Sequence, residues 1–210
     1  MFGTTQRSLS LPITSTVNVA GTLVQVSSQV RILSVTLDSR LSFNAHLFAL
    51  SKSCFYHFHA LRHSRPNLTL DCSKNNACSL VDCRLDYANS ILVGILVKNI
   101  SRLQSLQSTL THVITCQRGC ISISKTLQEL HCLPIKWRMD YKVATLTHKL
   151  LESGERTYLR SRITSKIFRR AQISSAKDRQ LEPCSSHTKI ESSAFRCAAP
   201  AIWNCLPYAL

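Results

Sequence analysis

Residues 30–61 read VRILSVTLDSRLSFNAHLFALSKSCFYHFHAL, and the spacing of their apolar side chains changes partway along. Up to Leu37 the stretch is apolar and β-branched, the composition of a strand. From Ser42 onward Phe43, Leu47, Leu50, Cys54, Phe58 and Leu61 recur every three or four residues, which lays them on one face of a helix. Ser42 is placed to cap that helix, and Pro66 closes it. Strand gives way to helix near Asp38.

Upstream, Thr16-Val17-Asn18-Val19 alternates, Ala20-Gly21 supplies a turn, and Leu23 to Val26 leads into the quoted stretch. A ribbon of two or three strands over 1–38 is expected, too small to be stable without a partner surface. Its Ser/Thr content and lack of acids before Asp38 also suit a transit peptide, but the strand pattern outweighs that reading. Downstream, a second helical stripe runs through Ala77, Leu80, Val81, Leu85, Ala88, Ile91 and Leu92, with Thr69 or Asp71 as its cap. A third carries Leu103, Leu106, Leu110, Val113 and Ile114. A short helix over Thr126 to His131 stops before Pro134, and a last one runs from Ile135 through Met139, Val143, Leu146 and Leu150 to Gly154. About five helices over 39–154 are best buried as a bundle. Residues 155–210 are basic and poorly periodic, so they are expected to be largely irregular, with the cluster from Ala194-Phe195 to Trp203 docked on the helices. The fold class is therefore mainly α with a small N-terminal β ribbon.

The 210 residues hold 26 Lys/Arg against 11 Asp/Glu, a net charge of +15, with 44% hydrophobic residues. The apolar fraction excludes wholesale disorder. Scarce acids disfavour a metal-dependent nuclease or polymerase, which gathers several carboxylates at one site. No apolar run reaches the roughly 18 residues of a membrane span. Met1-Phe2-Gly3-Thr4-Thr5 lacks the charged and apolar regions of a secretory signal. An intracellular protein, nuclear or cytoplasmic and not secreted, is expected. Its 10 cysteines follow no paired rhythm, so reduced thiols are expected rather than a disulfide framework.

Motifs for chemistry are few. There is no Gly-rich phosphate loop, no Gly-x-Ser-x-Gly, no His-Glu-x-x-His and no adjacent Asp-Asp pair. Cys116, Cys120 and His131-Cys132 are zinc-ligand types without standard finger spacing, and are read as scattered small apolar residues. His59 and His63 have metal-sharing spacing beside His57, but lack a carboxylate on their helix and lie off its apolar stripe. Asp86 beside Arg84 reads either as a charge pair within the second helix or as surface polarity. No metal and no cofactor are expected.

Charge is uneven: residues 1–97 carry +4 and residues 98–210 carry +11. Between Glu155 and Asp178 stand Arg156, Arg160, Arg162, Lys166, Arg169, Arg170 and Lys177 with no acid, interleaved with Tyr158 and Phe168. That composition suits a surface contacting phosphates; a solvated basic tail binding any polyanion, or a nuclear-import signal, has the same composition.

The wording of the sequence adds a resemblance. Val30 to Phe43 resembles the "LGVTLDSxLSF" passage of LINE-type (non-LTR) retrotransposon reverse transcriptases of the Jockey and chicken-repeat kind. Cys83-Arg84-Leu85-Asp86-Tyr87-Ala88-Asn89 is similar to their "SRLDYCN", and Leu103-Gln104 with Leu106-Gln107 to "LQxxQN". Leu130-His131-Cys132-Leu133-Pro134-Ile135 resembles "LHWLPI", with Arg138, Asp140 and Lys142 matching the helix after it. Ala194-Phe195 and Ala199 to Pro207, including Trp203 and Asn204, resemble the closing "AFSxxAPxLWNxLP". The matches stand in the family's order, with Leu37 and Asp38 in the first, and Met1-Phe2-Gly3-Thr4 resembles the "FGT" that precedes them.

The resemblance implies the part of the protein that follows the catalytic palm: the end of the palm, residues 1–38, then a helical thumb-like bundle, 39–154, then a basic C-terminal extension, 155–210. Thumbs hold a template–primer duplex through phosphates and the shallow minor groove. The palm aspartates that hold two metals are expected before Met1, so the chain is expected not to be an enzyme. Weak, salt-dependent binding of RNA or RNA–DNA hybrid is the partner the resemblance implies. Departures are several: Ser34 replaces a Gly, Cys132 a Trp, Ser108 an Asn, and Glu155-Arg156-Thr157 stands where "xAP" is usual. A Gly lost at a tight backbone position or an aromatic lost from a core costs about 1–4 kcal/mol. The expectation is a degenerate element copy; the alternative is a non-catalytic helical module that meets a protein partner.

Overall fold

Two left-handed turns shape the N-terminal strands. In the computed structural model, which describes residues 16–116, 123–153, 157–166 and 180–206, β1 (Thr16–Val19) pairs antiparallel with β2 (Thr22–Gln25). Ala20 (φ 49) and Gly21 (φ 86) form the connection, and the Gly21 amide donates to Asn18 Oδ1 at 3.0 Å. Likewise β3 (Gln29–Ile32) pairs with β4 (Val35–Asp38) across Leu33 (φ 46) and Ser34 (φ 65). Positive φ at both central residues is what a tight two-residue hairpin with the native twist requires. One ribbon of two or three strands is expected from the sequence; the described residues form four strands in two separate hairpins. Ser27 explains the break, since its hydroxyl donates to the Gln29 carbonyl (2.6 Å) and accepts from the Gln29 amide (3.3 Å), turning the chain between β2 and β3.

The described residues fall into two compact units, one drawn from 1–84 and 96–114, the other from 85–95 and 115–210. In the first, helix α1 (Asn44–Ser64) buries Leu47, Cys54, Phe58 and Leu61, the stripe read from the sequence. Its start is a correction. Phe43, at φ 57, takes the cap position, and Ser42 Oγ reaches only the Asn44 amide at 3.4 Å. The preceding amides are held instead by the Asp38 carboxylate, which accepts from Ser42 at 3.1 Å and Phe43 at 2.8 Å. Partial burial pushes that carboxyl up, but these hydrogen bonds outweigh it and hold Asp38 below the usual carboxylate range.

Helix α2 (Leu70–Ala77) begins at Thr69, whose side chain accepts from the Cys72 amide as expected of a cap. The single helix expected through Leu92 does not form. A π turn at Cys78–Asp82 inserts into it, α3 (Cys83–Asp86) ends it, and Ala88 (φ 53) leads into a 3₁₀ turn at Asn89–Leu92. The π turn rotates the apolar face, and neighbouring Val81 and Asp82 within it are both buried. Helix α4 (Val97–Thr115) buries Leu103, Leu106, Leu110, Val113 and Ile114. Both its ends are tied to α1 or its flank: Asn99 Nδ2 donates to Asn44 Oδ1 at 3.0 Å, and Arg65 Nε to the Ile114 carbonyl at 2.6 Å.

In the second unit, α5 (Ile123–Glu129) stops at His131, whose φ of 55 is left-handed. The Cys132 amide bonds the Leu127 carbonyl (2.8 Å) and the His131 amide that of Gln128 (3.0 Å), the paired closure of a Schellman terminus. Helix α6 (Ile135–Ser153) buries Ile135, Met139, Val143 and Leu150. Short α7 (Thr157–Arg160) and α8 (Lys189–Ser193) precede α9 (Phe195–Asn204), which packs on α6. The core joins Val143, Leu150, Ile163, Leu181 and Ala199, with Phe195, Ile202 and Trp203 against it. The terminal apolar cluster is therefore docked as expected. Gly94, at φ +80, is required by a close approach: a Cβ there would overlap Ser193 Oγ and lie 2.9 Å from Ser193 Cβ.

Candidate nucleic-acid interface

The basic segment is anchored by two apolar residues. Ile163 and Leu181, 4% and 1% exposed, enter the core from either side of an antiparallel bridge between Ser165 and Leu181. The Lys166 amide bonds the Gln180 carbonyl (2.9 Å) and the Glu182 amide that of Thr164 (2.8 Å). In this pairing Leu181 turns its own amide and carbonyl the other way, where Asn204 receives both: Oδ1 accepts from the Leu181 amide at 3.0 Å and Nδ2 donates to its carbonyl at 2.9 Å. The Asn204 carboxamide acts as a one-residue strand edge.

Arg162 and Lys166 are exposed around this anchor, while Arg160 is half-buried and donates to the Ile163 carbonyl at 3.2 Å. Arg160 thus helps shape the turn as well as carrying charge. Arg156, Arg169 and Arg170 lie outside the described residues, as do Pro207 and Cys120. Three of the six cations named from the sequence are therefore placed, all on one short stretch.

The residues carrying the family resemblance do framework work. Asp38 holds the start of α1, and Leu37 is half-buried beside it. Asp86 pairs with Arg138 at 3.5 Å and accepts from Asn89 Nδ2 at 3.2 Å. A charge pair between Asp86 and Arg84 is not made: two positions apart on a helix, they face different ways, and Arg84 Nε donates to the Leu80 carbonyl at 2.9 Å. Leu85 is buried, Tyr87 exposed, His131 ends α5, and Pro134 starts the turn into α6. Trp203 is half-buried, its ring 6.2 Å from that of His148.

The outward face of α6 was not read from the sequence. Trp137 and Tyr141 lie one turn apart and are 60% and 64% exposed, with His148 further along the same side. Lys136 Nζ stands 5.9 Å from the Trp137 ring centroid, and Lys142 and Lys149 flank the stripe. The signal was present: these aromatic positions alternate with the buried ones at helical spacing. Attention to the apolar stripe alone passes over it.

Among the described residues no three His, Cys, Asp or Glu side chains come together in a group able to hold a metal, and His59 and His63 are exposed. No helix of the described residues is long and apolar enough to cross a membrane. Burial pushes the Asp140 carboxyl up, Lys136 opposing it in part. Burial also pushes the Cys54 thiol up to about 11, and a hydrogen bond with Cys184, with burial second, does the same for Cys197. Comparison with protein-family models, curated proteins and solved structures finds no match for the chain.

Proposed function

We propose that this chain is a non-catalytic piece of a non-LTR retrotransposon reverse transcriptase, its thumb-like and C-terminal part, that retains affinity for nucleic acid. The observation that carries the reading is the run of five sequence matches in the family's order between residues 30 and 207. The framework duties of Asp38, Asp86, His131 and Asn204 support it, since residues that fix a backbone path are what a shared scaffold needs. No adjacent Asp-Asp pair, the signature by which the family's palm holds two metals, occurs in the 210 residues, which supports the non-catalytic reading. Purified chain given template–primer, Mg²⁺ or Mn²⁺ and deoxynucleotides adds none above background.

Binding is assigned to 156–170. Each phosphate neutralised releases condensed counterion, so log affinity for a duplex falls with log salt at about −0.9 per contact. Replacing Arg160, Arg162, Arg169 and Arg170 by Ala weakens binding and flattens that slope by roughly 2–4 units. A thumb-like grip favours RNA–DNA hybrid over plain duplex DNA through its A-like groove, whereas a solvated tail binds heparin equally well. An unchanged slope in the quadruple variant refutes the assignment.

A second reading, a protein-interaction module, draws on the ribbons. The register puts Val17, Val19 and Val24 on one exposed face of β1–β2, whereas exposed Val30 and Ile32 share their face of β3–β4 with half-buried Leu37 and buried Val35. Weakened association with a protein on Val17→Thr with Val24→Thr, at unchanged nucleic-acid affinity, distinguishes it.

A further inference from the structure

We propose that the outer face of α6 is a stacking platform for single-stranded nucleic acid, built from Trp137, Tyr141 and His148 and flanked by Lys142 and Lys149. This rests on the nucleic-acid reading above and adds to it a contact with bases on a second element, beside the phosphate contacts assigned to the basic segment.

The placement follows from helical geometry. With Ile135, Met139, Val143 and Leu150 turned into the core, positions 137, 141 and 148 point to the opposite side. Trp137 and Tyr141 are separated by one turn, about 6 Å, and His148 lies about 16 Å along the axis from Trp137. The His148 side chain is 49% exposed, and its ring meets that of Trp203, which backs the lower end of the stripe. A single exposed aromatic needs no explanation, but three aligned rings on one helix are a surface.

Chemistry selects the occupant. Every aliphatic side chain of α6 is buried or half-buried, so the exposed stripe offers rings and no branched apolar contacts of the kind a helix-binding groove presents. Lysines flank it: Lys142 and Lys149 are exposed on one side, and Lys136 Nζ lies 5.9 Å from the Trp137 ring centroid. Of the acids, Asp140 is half-buried, and Glu152 is bonded to His148 at 3.2 Å. Aromatic faces beside cations fit bases joined by phosphates. In a duplex the base faces stack on one another, whereas a single strand has them open to side-chain rings.

The test measures anisotropy of a labelled oligo(dT) of about 20 nucleotides, longer than typical site sizes, with duplex DNA as reference. Full-length wild type is compared with Trp137→Ala/Tyr141→Ala, Trp137→Phe and Lys142→Gln/Lys149→Gln. Stacking is worth roughly 5- to 150-fold per base, so the double-alanine variant loses at least tenfold for oligo(dT) with its salt slope unchanged. Trp137→Phe keeps a ring and most of the affinity, and the tryptophan quenching seen on saturating wild type falls in that variant. Lys142→Gln/Lys149→Gln flattens the salt slope by about 0.7 for each phosphate no longer neutralised. Duplex affinity stays within twofold in the aromatic variants. Circular dichroism at 222 nm verifies that each variant is helical, and Trp137→Phe serves if the double-alanine chain is not. Full oligo(dT) affinity in a folded double-alanine variant, or absence of quenching, overturns the proposal while leaving the basic-segment reading intact. Absence of binding to any nucleic acid overturns both. Loss of self-association with oligo(dT) affinity unchanged assigns the stripe to a protein–protein surface and also overturns it.

Discussion

Replacing Asn204 by Ala removes both hydrogen bonds to the Leu181 backbone, at 3.0 and 2.9 Å, and leaves its amide and carbonyl without them. Leu181 is 1% exposed, so water reaches that backbone poorly. Two intramolecular hydrogen bonds contribute about 0.5–1.5 kcal/mol each, and an unsatisfied buried group costs about 1–3 kcal/mol, so a net loss of roughly 2–4 kcal/mol is expected. For a unit of about 100 residues that lowers the melting temperature by roughly 8–20 °C. Both tryptophans of the chain, Trp137 and Trp203, belong to this unit, so intrinsic fluorescence follows its unfolding without interference from the other. Trypsin supplies a second readout, because cleavage after Arg162 and Lys166 accelerates once the bridge to Leu181 loosens. Asn204→Asp sharpens the test: it keeps an acceptor for the amide but sets a carboxylate against the Leu181 carbonyl, and is at least as damaging as Ala. Unchanged melting and proteolysis in Asn204→Ala would show that the carboxamide is incidental and that Leu181 is held by its side chain alone.

Three further expectations concern other parts of the chain. Ser34→Gly relieves a left-handed serine that costs about 1–2 kcal/mol, partly offset by glycine's greater unfolded-state entropy. Amide exchange in β3–β4 slows by the equivalent of about 0.5–1 kcal/mol, and faster exchange contradicts the turn assignment. Burial holds His46 below its ordinary pKa of 6.5, and Asp38 lies below its ordinary 3.8, so the unfolded chain binds more protons than the folded one as pH falls. Stability of the first unit, followed by ellipticity at 222 nm, therefore declines in one step below about pH 6.5 and in another as pH falls through the Asp38 pKa. His57, held low by burial and by Arg84, also contributes to the first step, which is reduced in His46→Gln and absent in His46→Gln/His57→Gln; the second is absent in Asp38→Asn. Cys54 and Cys197, pushed up to about 11, resist iodoacetamide at pH 8 while exposed Cys72 and Cys205 react; equal labelling of all four contradicts the burial.

Where one face of an element is buried, the sequence announces it, because periodicity records burial directly. The stripes of α1, α4 and α6 were legible for that reason, down to Leu47, Leu103 and Met139. The second stripe misled because a π turn at Cys78–Asp82 shifts the face by a fraction of a turn, and apolar spacing alone does not separate that from a continuous helix. The cap at Asp38 was missed because it acts across five residues and through a left-handed Phe43, a conformation that no propensity favours. Asn204 was singled out only through the family resemblance; its partner lies 23 residues away, and no local pattern marks such a bond. The cations of 156–170 were visible as composition, but Arg160's duty to the Ile163 carbonyl was not.

These two kinds of residue are physically separable. Asp38, Asp86 and Asn204 act through directed, short-range side-chain bonds to named atoms, and His131 through its left-handed backbone, so each tolerates few replacements and affects stability. Arg162 and Lys166 present their charge to solvent, and the phosphate contact proposed for them depends on number and sign more than on position. A chain accumulating substitutions therefore loses the two in different ways. Framework bonds fail one at a time and abruptly, whereas polyanion affinity declines gradually as cations are replaced. Recognisable wording can outlast function, and affinity for nucleic acid can outlast the framework. The stacking proposed for the aromatic stripe of α6 stands between these cases: it needs rings at helical spacing, so it requires the fold, but any base presents a face to it. On the proposed reading, a preference for open strands over duplex is accordingly the property that would report whether scaffold and surface still act together.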